Sequence, residues 1–176
     1  MSNVKERVNM SLDLCVYNKE KAPTEPIEFL KWFYERTTWE GDRDYYDIKG
    51  TDQKLVNFFL EMVKICPAMN GPYAPTEEEF EADPDLEDSP LLTEYNIGED
   101  LIYMGFSYHA PAEVFEQLEE LAYKNNLGFF DMFFMHLDAE TQIKVPQISQ
   151  EQLEKGATEE APKKKESFFK KLFGKK

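Results

Sequence analysis

The first pattern in the chain is an alternation of apolar and more polar positions near the N-terminus. Met10, Leu12, Leu14 and Val16 are apolar, and most residues between them are polar. A period of two is typical of a strand that has one face buried. The pattern therefore predicts a first strand over this segment.

Three later segments have apolar residues three or four positions apart, which is helical spacing. The first begins near Pro26 and runs to about Arg36, the second covers residues 55–65 before Pro67, and the third covers residues 111–126. Proline suits the first turn of a helix and also closes one. Because each segment has one apolar face, we predict three helices that pack against a sheet.

Three further apolar segments complete the predicted fold. Residues 92–97 and 101–108 predict a hairpin, and residues 129–137 predict a final strand. The order β-α-α-β-β-α-β predicts an α+β sandwich of the ferredoxin-like, split βαβ type with a mostly antiparallel sheet.

The two faces of this predicted sheet differ in character. We expect all helices to pack on one face. The sheet residues that point towards these helices would be Leu12, Leu14, Val16, Ile102, Met104, Phe106, Phe130, Met132 and Phe134. The opposite face would be unusually aromatic. Either the acidic loop or the second helix covers it, or it binds a partner or a second copy of the chain. In the second case the partner-binding residues would be Tyr17, Tyr103, Phe129, Asp131 and Phe133. A base-stacking platform is a further alternative, although no basic residues surround these aromatic side chains.

An acidic segment interrupts the apolar pattern before the hairpin. Eight carboxylates lie within residues 77–88. A charge run of this kind, with prolines inside and beside it, is typical of an exposed loop. It predicts an acidic surface formed by Glu77, Glu78, Glu79, Glu81, Asp83, Asp85, Glu87 and Asp88.

The net charge of the chain reverses at its end. Residues 163–176 hold seven Lys and one Glu, whereas the whole chain carries a net charge of −15. Removing the +6 of that tail leaves −21 on the first 162 residues. Because nucleic acid is bound by clustered Lys and Arg, we expect no nucleic-acid site on this acidic body. Complementary charge favours a basic protein partner instead.

The division of the chain follows from these changes in composition. We predict an acidic α+β domain over residues 1–137, a polar disordered linker over 138–162 and a basic tail over 163–176. If the tail forms a short amphipathic helix, its apolar face and its opposite basic face contain Phe168, Phe169, Lys170, Lys171, Leu172 and Phe173. It would then be a reversible membrane tether, a peptide that docks on a protein or on the chain's own acidic loop, or a solvated end.

Recognisable catalytic chemistry is sparse. The spacing of Asp42, Asp44 and Asp47 fails that of a calcium loop, and neither a nucleophile motif nor a phosphate-binding loop occurs. We therefore predict no metal, no cofactor and no assigned catalytic residue. The alternative is a small hydrolase or metal-dependent enzyme that uses Asp44, Asp131 and one histidine, His109 or His136.

The compartment is predicted from cysteine use and hydropathy. Cys15 and Cys66 have no paired spacing, which favours a reducing environment. The N-terminus has no apolar signal core, and no later run approaches the length of a membrane span. We expect a cytoplasmic protein whose tail allows peripheral contact with the inner face of the membrane.

Several of these residues also carry a resemblance. Trp39, Asp42 and Asp44, followed by PAMNGP at 67–72 and GFFD at 128–131, resemble a group of small acidic bacterial proteins, most of them without an assigned activity. The resemblance covers about residues 10–135 and not the tail. Some similar proteins serve as immunity or accessory factors beside toxin genes, and no catalytic residue carries over from them.

Together these observations predict a non-enzymatic protein-binding module of immunity or accessory type. Its acidic domain would recognise a basic protein such as a toxin or nuclease, and its tail would localise it.

Overall fold

The computed structural model describes residues 11–156. Its strands are β1 Ser11–Tyr17, β2 Glu94–Ile97, β3 Leu101–Ser107, β4 Gly128–Phe130, β5 Phe134–His136 and β6 Gln142–Lys144. Its helices are α1 Pro26–Arg36, α2 Gln53–Ile65, α3 Glu77–Ala82, α4 Ala112–Lys124 and α5 Gln150–Glu154. The strands form one antiparallel sheet in the order β2-β3-β1-β4-β5-β6. The predicted α+β class is confirmed.

The bounds of α1 and α2 follow from local capping chemistry. The side chain of Glu25 accepts a hydrogen bond from the backbone N–H of Glu28, and Pro26 occupies the first turn of α1. Asp52 caps α2 by accepting from the N–H of Lys54. Such caps satisfy N–H groups that have no partner inside the helix. α1 begins at the predicted Pro26, and α2 begins two residues before the predicted segment.

The main core lies between one sheet face and the helices α2 and α4. Leu14 and Val16 of β1 and Met104 of β3 pack there with Phe58 of α2 and Leu118 of α4. This agrees with the predicted core face over β1 and β3. The exception is Leu12, which we expected in the core but which lies at the start of β1 and is 44% exposed.

Helix α1 covers the opposite face, so the prediction that all helices lie on one side of the sheet is wrong. Tyr17 of β1 packs against Phe29 and Trp32 of α1 at ring-centroid distances of 5.1 and 5.9 Å. Phe130 of β4 meets Phe29 edge to face at 5.1 Å. The aromatic face is thus covered from within, as one interpretation proposed, but by α1 and not by the acidic segment or α2.

The predicted last strand, residues 129–137, is in fact two strands. Met132 has a φ of +72°, a turn conformation that ends β4 and lets the chain reverse into β5. Phe130 is paired with Cys15, and Phe129 with Val16. Phe129 therefore faces the main core and Phe130 faces α1, which reverses the predicted assignment of both.

The sheet also continues past the predicted domain boundary at residue 137. Strand β6 pairs with β5, so residues 142–144, which we predicted to be linker, belong to the sheet. A second compact unit begins at Pro146 and contains α5, which starts with a capping box between Ser149 and Gln152. The predicted helix in residues 163–176 lies outside the described residues.

Candidate functional site

A cleft of about 320 Å³ opens beside the turn that joins β2 to β3. One side is formed by the end of α1 and the loop after it, and the other by the turn itself. Its charged lining residues are Glu35, Arg36, Glu40, Arg43, Glu99 and Asp100. The cleft lies entirely within the unit that contains the sheet.

Asp100 is the most buried charged residue of the cleft. Its carboxylate accepts hydrogen bonds from Lys21 Nζ at 2.6 Å and from Arg36 Nε at 3.2 Å. Its backbone carbonyl accepts from the N–H of Asn18 at 2.9 Å. A carboxylate removed from water needs opposite charge and hydrogen-bond donors, and both are supplied here.

Arg36 and Lys21 each have a second contact that fixes them in place. The guanidinium of Arg36 lies over the Trp32 ring, 4.8 Å from its centroid. Lys21 Nζ also lies 3.6 Å from Asp52 Oδ2, the residue that caps α2. The charge network therefore joins the end of β1, both crossover helices and the start of β3.

Arg43 anchors the loop that forms the outer wall of the cleft. Its Nε donates to the carbonyl of Ile97 at 3.1 Å, and its Nη2 donates to Gly98 O at 3.2 Å and Thr51 Oγ1 at 2.7 Å. All three acceptors are uncharged oxygens. Nε and Nη2 of the guanidinium therefore hold the loop against the β2–β3 turn.

Two aromatic residues stiffen the same loop. Trp39 meets Tyr45 edge to face at 5.2 Å and Tyr103 at 6.2 Å. Trp39 has a φ of +53°, an uncommon conformation for a bulky residue. The hydroxyl of Tyr45 donates to the carbonyl of Glu40 at 2.7 Å. The loop that lines the cleft is therefore held from both ends.

A second candidate surface is the acidic segment, residues 77–88. It forms α3 followed by a short 3-10 turn, Pro84–Leu86, and all eight carboxylates are exposed. Thr76 and Glu79 cap α3 reciprocally, with Thr76 N–H donating to Glu79 Oε2 at 2.7 Å. The segment is more regular than the predicted loop, because this capping box begins a helix.

The five predicted partner-binding residues do not share one open face. Tyr17 and Phe129 are buried, with 1% and 8% exposure, so the prediction that both lie on an open surface is wrong. Tyr103 is half-buried and packs against Phe33 at 6.3 Å. Of the five, Phe133 is the most accessible at 57% exposure.

Asp131 and His136 are brought together across the β4–β5 turn. The distance between Asp131 Oδ2 and His136 Nε2 is 2.8 Å, and the His136 ring stacks on Phe129 at 4.1 Å. The other carboxylate oxygen of Asp131 accepts from the N–H groups of Phe133 and Phe134. One oxygen of Asp131 therefore stabilises the turn and the other contacts the histidine. Both contacts have a structural role.

The remaining members of the enzyme hypothesis lie in local contacts. Asp44 accepts from the N–H of Tyr46, and Asp47 accepts from the N–H of Lys49, so both stabilise turns in their own loop. His109 is exposed in the loop between β3 and α4. Within residues 11–156, no three His, Cys, Asp or Glu side chains are grouped so as to hold a metal ion.

Sequence reasoning missed Asp100 and Arg43 as parts of a site. Asp100 fell between the two predicted strands of the hairpin, and no predicted site included Arg43. No motif marks either residue, because their partners are distant in the sequence. Lys21 and Asp100 are 79 positions apart, and Arg43 and Ile97 are 54 positions apart.

The two Cys residues are free and buried, and burial raises the pKa of each thiol.

Comparisons of the chain with protein-family models, with curated proteins and with solved structures find no match. Among the helices in the described part of the chain, none has the length and apolar character needed to cross a membrane.

Proposed function

We propose that the chain is a non-enzymatic protein-binding module that recognises a basic protein partner. The observation that carries the proposal is the acidic segment, residues 77–88, where eight exposed carboxylates occur without a Lys or Arg between them. Clustered charge of one sign speeds the encounter with a partner of opposite sign and sets its orientation.

The local order of the acidic segment supports this role. The capping box begins α3, and the side chain of Asp83 accepts from the N–H of Asp85 to begin the 3-10 turn. A surface that already has its bound conformation loses less conformational entropy on binding than a disordered run of the same charge. The carboxylates are therefore presented on a preformed backbone.

The test compares two triple variants that change the net charge equally. One carries Glu77→Gln, Glu78→Gln and Glu81→Gln in the acidic segment, and the matched control carries Glu113→Gln, Glu116→Gln and Glu120→Gln on α4, where the side chains are also exposed. Glu79 and Asp83 are left intact because they form caps.

Each full-length variant is used for affinity capture at low and at high salt. We expect the wild type and the α4 variant to capture the same basic protein at low salt, and the acidic-segment variant to lose most of it. Capture should fall at high salt because surface charges are screened. Capture of no basic protein by the wild type, or equal capture by both variants, contradicts the proposal.

For the tail we propose reversible attachment, to an anionic membrane surface or to a protein. The support is its sequence, in which two pairs of apolar residues flank a pair of Lys over residues 168–173 and seven Lys lie within 163–176. Each Lys near an anionic bilayer contributes about 1 kcal/mol to the free energy of binding. The conformational entropy that the peptide loses when it becomes ordered largely offsets this gain. In vesicle flotation, the full chain should float with anionic lipid more than a chain that ends at Pro162. Equal flotation of the two contradicts the membrane tether.

We further propose a cytoplasmic location and an immunity or accessory role of the kind that the resemblance implies. Two free, buried cysteines support a reducing compartment. We also propose that the fold is of the ferredoxin-like type. The support is that β3 lies between β1 and β2, which are the two strands that the first crossover joins. Gene neighbours that include a toxin with a basic surface would support the role.

A further inference from the structure

The charge of the cleft beside Asp100 determines which ligands it can accept. Asp100 is paired with Arg36 and Lys21, and Arg43 directs its donors to uncharged oxygens in the protein. The lining carboxylates of Glu40 and Glu99 are exposed, and neither is in an ion pair with another residue of the described chain. Arg43 keeps its positive charge, because its acceptors are uncharged. Four carboxylates and two guanidinium groups therefore line the cleft, which gives the lining a net charge of −2.

The remaining lining of the cleft includes one aromatic residue that suits a long basic side chain. Gly98 and Leu101 line the cleft too, but both are buried and offer little surface to a ligand. Tyr45 also lines the cleft, and its ring is held by the edge-to-face contact with Trp39. An aromatic ring and a carboxylate together stabilise a guanidinium or ammonium group.

We propose that this cleft is an anchor pocket for one Lys or Arg side chain of the basic partner. The proposal deepens the proposed function and rests on it, because it names the place where one basic residue of the partner is inserted. A volume of about 320 Å³ accommodates a single side chain of this size. Glu40 and Glu99 bind the charged end, and Tyr45 contacts its flat face.

The pocket can be tested without knowledge of the partner. N-acetyl-arginine amide is titrated into the full-length protein while backbone amide resonances are followed by NMR, and N-acetyl-citrulline amide serves as an uncharged probe of nearly the same shape. We expect saturable shifts at Tyr45, Gly98 and Glu99 with the arginine probe and none with the citrulline probe. Equal shifts with both probes, or shifts centred on residues 77–88, overturn the proposal.

A pair of double variants locates the charges that bind the probe. Glu40→Gln with Glu99→Gln should weaken the arginine probe by about fivefold, the loss expected for two exposed charge pairs. The matched control, Glu116→Gln with Glu120→Gln on α4, should leave the affinity unchanged. All four side chains are exposed, so a well-dispersed spectrum is expected for both variants. An equal loss in the two variants overturns the assignment to the cleft.

The failure of the pocket and the failure of the proposed function are distinguishable. If the chain captures a basic protein but the arginine probe does not shift the cleft resonances, the pocket is refuted and the acidic segment remains as the recognition surface. If the probe binds in the cleft but no basic protein is captured, the proposed function is refuted and the cleft stands as a site for cationic side chains.

Discussion

Lys21 and Asp100 are 79 residues apart in the chain, yet Lys21 Nζ lies 2.6 Å from Asp100 Oδ1. The Asp100 side chain is 9% exposed and that of Lys21 is 44% exposed, so the carboxylate is desolvated and the ammonium is not. The hydrogen bond to Asp100 raises the pKa of Lys21. This contact ties the segment after β1 to the start of β3, which forms one side of the cleft.

Substitution of Asp100 should therefore destabilise the fold. Asp100→Asn removes the charge that compensates Lys21 and Arg36, and the buried amide cannot accept from both with equal strength. We expect the free energy of unfolding to fall by about 2–3 kcal/mol, measured by urea denaturation.

An exposed ion pair serves as the control for that measurement. Lys31 and Glu28 lie 2.7 Å apart on α1, but both side chains are more than half exposed. Lys31→Gln should change the free energy of unfolding by no more than about 0.5 kcal/mol. A similar small effect for Asp100→Asn would show that the network around Asp100 does not stabilise the fold.

Local elements were predictable because their signals are local. The alternation in β1, the helical spacing in α1 and α2, and Pro26 are all visible in the sequence, and the structure confirms these elements. The sheet face that α1 covers could not be predicted in this way. A helix with one apolar face has the same sequence pattern whichever side of the sheet it packs against. The contact between Tyr17 and Phe29 shows which side α1 covers, and this contact is visible only in the folded chain.

The final strand shows a second limit of sequence patterns. Residues 127–135 are apolar at most positions, so no period indicates which residues share a face. The positive φ of Met132 ends β4, and no glycine marks that turn. The cleft was missed for a different reason, since Asp100 and Arg43 gain their roles only from distant partners.

A pair of phenylalanine substitutions tests the corrected assignment of this segment. Phe130 is 2% exposed and contacts Phe29 and Phe33 of α1 edge to face, whereas Phe133 is 57% exposed. Phe130→Ala should lower the free energy of unfolding by about 3–5 kcal/mol, and Phe133→Ala by no more than about 0.5 kcal/mol. Thermal and urea unfolding measure both. A larger loss for Phe133→Ala would refute the placement of Phe130 under α1.

Two glycines with positive φ separate backbone strain from steric contact. A Cβ at Gly71, where φ is +81°, would lie 2.5 Å from Tyr46 Cβ, whereas a Cβ at Gly41, where φ is +97°, meets nothing within 4 Å. Gly41→Ala should cost about 1 kcal/mol through strain alone. Gly71→Ala should cost at least about 2 kcal/mol because the loops around Tyr46 must also move apart. Equal losses in urea unfolding would mean that the contact with Tyr46 does not constrain the two loops.

The capping box of α3 makes the acidic segment sensitive to acid. Hydrogen bonds from the backbone N–H and then from the hydroxyl of Thr76 lower the pKa of Glu79. Because the pKa is lower in the folded chain than in the unfolded one, ionised Glu79 favours the folded helix. That contribution is present above the unfolded pKa and is lost as the pH falls through the lower pKa of the folded state.

The substitution Thr76→Ala tests this linkage. It removes the hydroxyl that caps α3, so the Glu79 carboxyl should titrate at a higher pH than in the wild type, with its carboxyl carbon followed by NMR. Asp138 lies outside the capping box and its pKa is lowered by a hydrogen bond from the backbone N–H of Glu140, so its titration curve should be the same in both proteins. If Glu79 keeps its titration curve in Thr76→Ala, the hydroxyl of Thr76 does not hold the charged form, and the backbone N–H of residue 76, which the variant retains, accounts for the lowered pKa. The order of the acidic segment would then not depend on that hydroxyl.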